Sequence, residues 1–141
     1  MRSPEEWAVR EVLRAADNLH AKWNEALKPF GVSFTQYGAL RILSGEEQGL
    51  PSSVIGERMT TRDSDVTRLV DRLVARGLVE RHRDPEDRRV VWVRLTPAGT
   101  ELVGRLDSPT LALAARQFAA IKPKRVRRLI EILRQLPDPT S

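Results

Sequence analysis

Arg62-Asp63-Ser64-Asp65-Val66-Thr67-Arg68-Leu69-Val70-Asp71-Arg72-Leu73-Val74-Ala75-Arg76-Gly77 runs straight into Leu78-Val79-Glu80-Arg81-His82-Arg83, and the residue pattern changes character at the glycine. On a helix turning roughly 100° per residue, Val66, Leu69, Val70, Leu73 and Val74 share one face, which predicts burial. Ser64, Arg68, Asp71, Arg72 and Ala75 share the other, with Asp65 and Thr67 at its edges. Gly77 suits the left-handed position that ends a helix. Beyond it the helical spacing stops. Leu78–Arg83 and Val90–Leu95 are short runs rich in Val, Leu and Trp, joined by the charged turn Asp84-Pro85-Glu86-Asp87-Arg88-Arg89, and read as a β-hairpin.

Working outward, Pro and Gly mark the joints between segments of helical period. A first helix is predicted over about Pro4–Lys28, capped by Ser3, with Pro4 in its first turn and Glu5 and Glu6 at the positive end of its dipole. Val9, Ala16, Trp23 and Phe30 recur every seven residues, and Val12, Leu19 and Ala26 form a second row, with Leu13 and Leu27 widening the stripe. A stripe of this length predicts pairing with a partner helix. Further helices are expected over about Thr35–Ser44, Pro51–Arg58 and Arg62–Arg76, the last two joined by a tight turn at Met59-Thr60-Thr61. Thr96-Pro97 opens a fifth helix, expected to reach about Phe118 and to be kinked or interrupted by Pro109. A last helix over about Pro123–Leu136 places Val126, Leu129, Ile130, Leu133 and Leu136 on one face.

The order helix, helix, hairpin is a winged helix-turn-helix. The fold expected is mainly α with a small β-hairpin wing, in one domain over residues 1–141. Residues 34–95 are expected to form the winged lobe, flanked by the helices of residues 1–30 and 97–141.

Composition narrows the function. The chain has 141 residues and no cysteine, which excludes disulfides, thiolate metal sites and thiol redox sensing. His20 and His82 lie far apart with no ligand spacing around them, so no metal site is expected. No phosphate-binding Gly loop and no Ser-His-Asp arrangement is present, which argues against an enzyme. No run approaches a membrane span and no signal-peptide pattern is seen, so a cytoplasmic protein without cofactor is expected. The net charge is +5, unevenly spread: residues 58–94 carry ten basic side chains, all Arg, against seven acids.

That arginine bias fits duplex DNA. A helix entering a major groove needs small groups for close approach, hydrogen-bonding groups for base edges and cations for phosphates. Candidate DNA contacts are Ser52 and Ser53 on the third helix, and Thr61, Arg62, Ser64, Asp65, Thr67, Arg68 and Arg72 on or before the fourth. On the wing they are Arg83, Asp87, Arg88 and Arg89, an arginine there being suited to a narrow minor groove. Asp87 can hold one guanidinium through a bidentate pair. The acids at the helix start and on the wing leave a second reading, a winged-helix protein-interaction module without nucleic-acid contact.

Thr67-Arg68-Leu69-Val70-Asp71-Arg72-Leu73 with Gly77-Leu78-Val79-Glu80-Arg81 resembles the recognition helix of the MarR (multiple antibiotic resistance regulator) family. Asp84-Pro85-Glu86-Asp87-Arg88-Arg89, five residues, then Leu95-Thr96-Pro97-Ala98-Gly99, is similar to that family's wing, and Thr35-Gln36-Tyr37 with Leu40 and Leu43 to its second helix. The resemblance implies a homodimeric, sequence-specific regulator of transcription on a palindromic operator, paired through its terminal helices and acting as a repressor released by a small effector. It also implies that the fourth helix reads the major groove and that Asp87 and Arg89 serve the minor groove. The sequence departs at Thr61-Arg62-Asp63-Ser64-Asp65, where two acids stand in place of the family's Pro, Ser and Thr. Asp65 can accept from cytosine N4 or repel phosphates. Members of the family often bind small, frequently aromatic or phenolic, ligands between the dimer helices and the DNA-binding lobe, which makes His20, Trp23, Phe30, Phe34, Tyr37 and Arg41 the candidate effector residues.

Overall fold

Ser3 starts the first helix by a reciprocal pair of bonds: its hydroxyl accepts from the Glu6 amide at 3.2 Å, and the Glu6 carboxylate accepts from the Ser3 amide at 3.2 Å. In the computed structural model, which describes residues 3–59 and 65–138, this helix, α1, covers Pro4–Leu27. A 3₁₀ turn, Lys28–Phe30, follows it, closed by Gly31 at φ 76°. Ser33 repeats the device with Gln36 at the head of α2, Phe34–Leu43. Then come β1 (Leu50–Pro51), α3 (Ser52–Arg58), α4 (Val66–Ala75), β2 (Val79–Arg83), β3 (Val91–Leu95), α5 (Pro97–Gln117) and α6 (Pro123–Leu133).

The strands form an antiparallel sheet in the order β1-β3-β2, with Arg81 opposite Val93 and Leu50 opposite Val93 on its other side. The third strand is an addition to the expected hairpin. Two residues, one of them Pro, carry no period to detect. The pairing is read instead in Gly49, where a Cβ would stand 2.2 Å from the Val93 carbonyl oxygen.

Leu69, Val70 and Leu73 of α4 are buried, as its apolar face requires, together with Leu40 and Leu43 of α2, Ile55 of α3, Val79 of β2 and Val93 of β3. The described part of α4 begins later than Arg62, because the Asp65 carboxylate caps it by accepting from the Arg68 amide at 2.9 Å. α5 begins at a crowded joint. The Thr96 hydroxyl donates to the Gly77 carbonyl at 2.6 Å and accepts from the Gly99 amide at 3.1 Å, while the Thr96 amide donates to the Leu78 carbonyl at 3.1 Å.

The chain divides into two compact units between Arg105 and Leu106, inside α5. In the second unit the helix continues through Pro109 and is not interrupted. Pro109 has no N–H to donate, and the neighbouring Thr110 hydroxyl donates to the Leu106 carbonyl at 2.7 Å and the Asp107 carbonyl at 3.2 Å. α6 stops at Leu133, short of the expected Leu136. Within α1 only Leu27 is buried; Val9 and Leu13 of the heptad stripe are 60% and 63% exposed. No described helix is long and apolar enough to cross a membrane.

Candidate nucleic-acid interface

The face of α4 opposite its buried leucines carries Thr67, Arg68, Asp71, Arg72 and Ala75, all exposed. A cleft of about 450 Å³ on one side of the helix is lined by Ser52, Thr67, Asp71, Arg81 and Arg83 among others. A second, of about 410 Å³, is lined by Thr35, Gln36, Asp65, Arg68 and Arg72 among others. The candidate residues of α3, α4 and β2 are therefore neighbours across two concavities flanking one exposed helix. Ser53 is exposed at the start of α3. Thr61, Arg62 and Ser64 lie outside the described residues.

Three contacts shape the charge of this surface. Asp65, besides capping α4, has an oxygen 3.5 Å from Nε of Arg68. The guanidinium of Arg81 on β2 donates to the Asp71 carboxylate on α4, tying the helix to the wing. Arg83 donates to the Arg88 carbonyl at 2.8 Å, bracing the wing turn from its own strand. These acids neutralise helix and strand arginines in place, and the arginines gain a defined direction.

The wing turn is built around two aspartates. One Asp84 carboxylate oxygen accepts from the Glu86 and Asp87 amides at 2.8 and 3.0 Å, and the other from the Trp92 indole N–H at 2.9 Å. Asp87 holds Arg89 by a two-point pair at 3.0 and 3.2 Å and also accepts from the Arg89 amide at 3.1 Å. The Arg89 side chain is 91% exposed while held this way, so it is oriented and still open to a ligand. The bidentate pair read from the sequence is present. The Trp92 brace was not read there; its signal was an indole facing an Asp-Pro turn eight residues earlier.

Both carboxyls are held below their ordinary value of 3.8, Asp84 by the Trp92 indole first and then the Asp87 and Glu86 amides, Asp87 by the Arg89 side chain first and then its amide. Partial desolvation opposes both shifts. Because the folded values are depressed, the ordering these groups contribute is present above 3.8 and is lost only as pH falls below it, through the folded values. The Trp92 indole N–H resonance should therefore show a transition below 3.8, as Asp84 takes up its proton. A midpoint above 3.8 would show that Asp84 does not hold the indole.

Four of the six candidate effector residues meet. The Phe34 ring lies edge-on to His20 and Trp23 with centroids at 5.3 and 5.6 Å, and Trp23 lies 6.0 Å from Tyr37. Phe30 has the Arg105 guanidinium over its ring at 5.7 Å, and Arg41 is exposed on α2.

Comparison with known proteins agrees with this geometry. The MarR family model matches residues 30–90. The HTH-type transcriptional repressor IacR of Pseudomonas putida is 30% identical over 128 residues, 90% of this chain and 73% of that one. The crystal structure of Sco5413, a MarR family transcriptional regulator from Streptomyces coelicolor, superposes with a TM-score of 0.83 at 30% identity, covering 94% of this chain and 92% of that one. A mutant MarR from E. coli complexed with operator DNA shares the fold, with a TM-score of 0.82 at 24% identity over 91% of this chain and 92% of that one. A buried α4 face beneath an exposed arginine face, a wing aspartate holding an arginine, and these likenesses over most of the chain together place it: the chain belongs to the MarR family of transcriptional regulators.

Proposed function

We propose that this regulator is a cytoplasmic homodimer that represses its target genes by binding a palindromic operator and is released by a small aromatic or phenolic effector. The observation that carries the reading is the exposed Thr67, Arg68 and Arg72 face of α4 together with an Arg89 that Asp87 holds exposed on the wing. In this reading α4 enters the major groove, with Ser52, Ser53, Thr61, Arg62, Ser64, Arg83 and Arg88 at flanking phosphates. Arg89 enters the minor groove, where A·T-rich sequence concentrates negative potential. Asp65 acts by capping α4 and aiming Arg68.

Pairing is assigned to residues 1–30 and 97–141 of a single functional domain, and DNA binding to residues 34–95. Its support is the uncovered apolar stripe of α1 and that of α6, where Leu129, Ile130 and Leu133 are all exposed. A dimer of this kind needs half-sites about 10 bp apart. The effector reading rests on the His20, Trp23, Phe34 and Tyr37 cluster, whose edge-on rings suit a flat aromatic guest. The Pseudomonas relative IacR is a repressor, which favours repression over activation.

Fluorescence anisotropy tests the central reading. At about 150 mM salt the protein should prefer a duplex it has selected from a random library over unselected duplex by about 10³ or more. Arg68→Ala should weaken that complex by about 1–3 kcal/mol and relax discrimination at one base pair. Arg89→Ala should lose affinity chiefly where the flanks are A·T-rich. Equal binding to every duplex would end the claim of site-specific recognition, and an Arg89→Ala protein indifferent to its flanks would remove the wing from it.

A further inference from the structure

We propose that Arg76 is a positioning residue: it ties the C-terminal end of the recognition helix to the turn that ends α1, and so sets the angle at which α4 is presented. The proposal rests on the DNA-binding reading above. Arg76 is the C-cap of α4, its amide donating to the Arg72 carbonyl at 3.3 Å and the next amide, that of Gly77, to the Val74 carbonyl at 2.9 Å. Its guanidinium donates to the Gly31 carbonyl, a partner 45 positions away in the chain.

Gly31 is suited to this contact on two counts. It takes φ 76°, closing the Lys28–Phe30 turn with its amide on the Lys28 carbonyl at 2.9 Å. A Cβ there would stand 2.8 Å from the Arg76 guanidinium, so a side chain would displace the arginine tip. The adjoining Phe30 ring carries Arg105 of α5. One short turn after α1 is thus gripped by arginines from two other helices.

Lever geometry gives the contact its consequence. α4 has ten residues and is about 15 Å long. A tilt of about 10° about one end moves the other by about 2.5 Å, well beyond the roughly 0.5 Å spread of good hydrogen-bond distances. In a twofold dimer both recognition helices shift together, in opposite senses, and the preferred half-site spacing changes with them. Arg76 thereby governs DNA binding while its donors serve a protein carbonyl.

Operator affinity against salt distinguishes this role from a phosphate contact. The probe is the duplex selected by the wild-type protein, with variants carrying one inserted or deleted base pair between half-sites. Arg76→Ala and Gly31→Ala should each weaken binding about 3- to 10-fold, and the double variant should be no weaker than either. The slope of log K against log salt should stay at the wild-type value, tolerance of altered spacing should widen, and Arg76→Gln, which keeps a donor without charge, should recover part of the loss. Arg76→Gln also leaves the left-handed turn intact, so it decides the matter if Gly31→Ala proves unstable on melting.

The proposal is overturned if Arg76→Ala and Arg76→Gln bind as wild type. It is equally overturned if both flatten the slope by about 0.9 per lost contact while Gly31→Ala binds normally, since Arg76 is then a phosphate ligand. A wild-type protein that selects no duplex overturns the DNA reading itself, a different failure from either.

Discussion

Gly99→Ala should cost about 3 kcal/mol of stability, seen as a lower urea midpoint at unchanged slope. A Cβ at this position would stand 2.1 Å from the Leu78 carbonyl oxygen and 3.2 Å from Leu95 Cδ2. The obstacle is backbone, and that carbonyl is itself held by the Thr96 amide. Retreat would pull apart the joint where Gly77, Thr96 and Gly99 share one hydroxyl. Gly104 offers the control. It lies in the same helix with nothing within 4 Å of its would-be Cβ, so Gly104→Ala should stabilise by about 0.5–1 kcal/mol through helix propensity alone. A Gly99→Ala protein as stable as wild type would mean that the start of α5 yields easily, and that the wing is not fixed through it.

Leu133→Asp should abolish the proposed dimer, giving monomers or aggregates by analytical ultracentrifugation. α6 exposes Leu129, Ile130, Ile132 and Leu133, and α1 exposes Val9, Val12 and Leu13. Each such side chain contributes about 1.5–3 kcal/mol once fully buried, so leaving a row of them in water favours association. An aspartate on that face reverses the sign, because an unpaired carboxylate resists desolvation. Twofold symmetry then counts the penalty in both protomers. Trp23→Asp tests the other row in the same way, although Trp23 also packs on Phe34 and Tyr37. An intact dimer in both variants would transfer the interface to another surface.

Chain-local physics made much of this molecule legible from its residues. Leu69, Val70 and Leu73 recur at helical spacing, so a buried face and an opposed arginine face follow from geometry alone. Ser3 with Glu6, and Thr96 before Pro97, mark helix starts within one turn of themselves. Asp84-Pro85-Glu86-Asp87 contains its own turn, and Asp87 and Arg89 are close enough in sequence to find each other. Boundaries were less legible where several residues could serve: Thr60, Thr61, Asp63, Ser64 and Asp65 all have capping side chains, and the backbone placed the Arg68 amide within reach of Asp65.

Tertiary packing decided the contacts that give the interface its shape. Arg81 on Asp71, Trp92 on Asp84, Arg76 on Gly31 and Leu50 on Val93 join separate elements or opposite ends of a turn. Periodicity states which face of an element is buried; it does not state which side chain of a neighbouring element arrives beside a given polar group. That depends on the docking angle and register of packed elements, quantities that a single element does not carry. The amino-acid order by itself therefore determined that an arginine-bearing helix and a charged wing would exist and face outward, and the folded chain alone determined how each arginine is held.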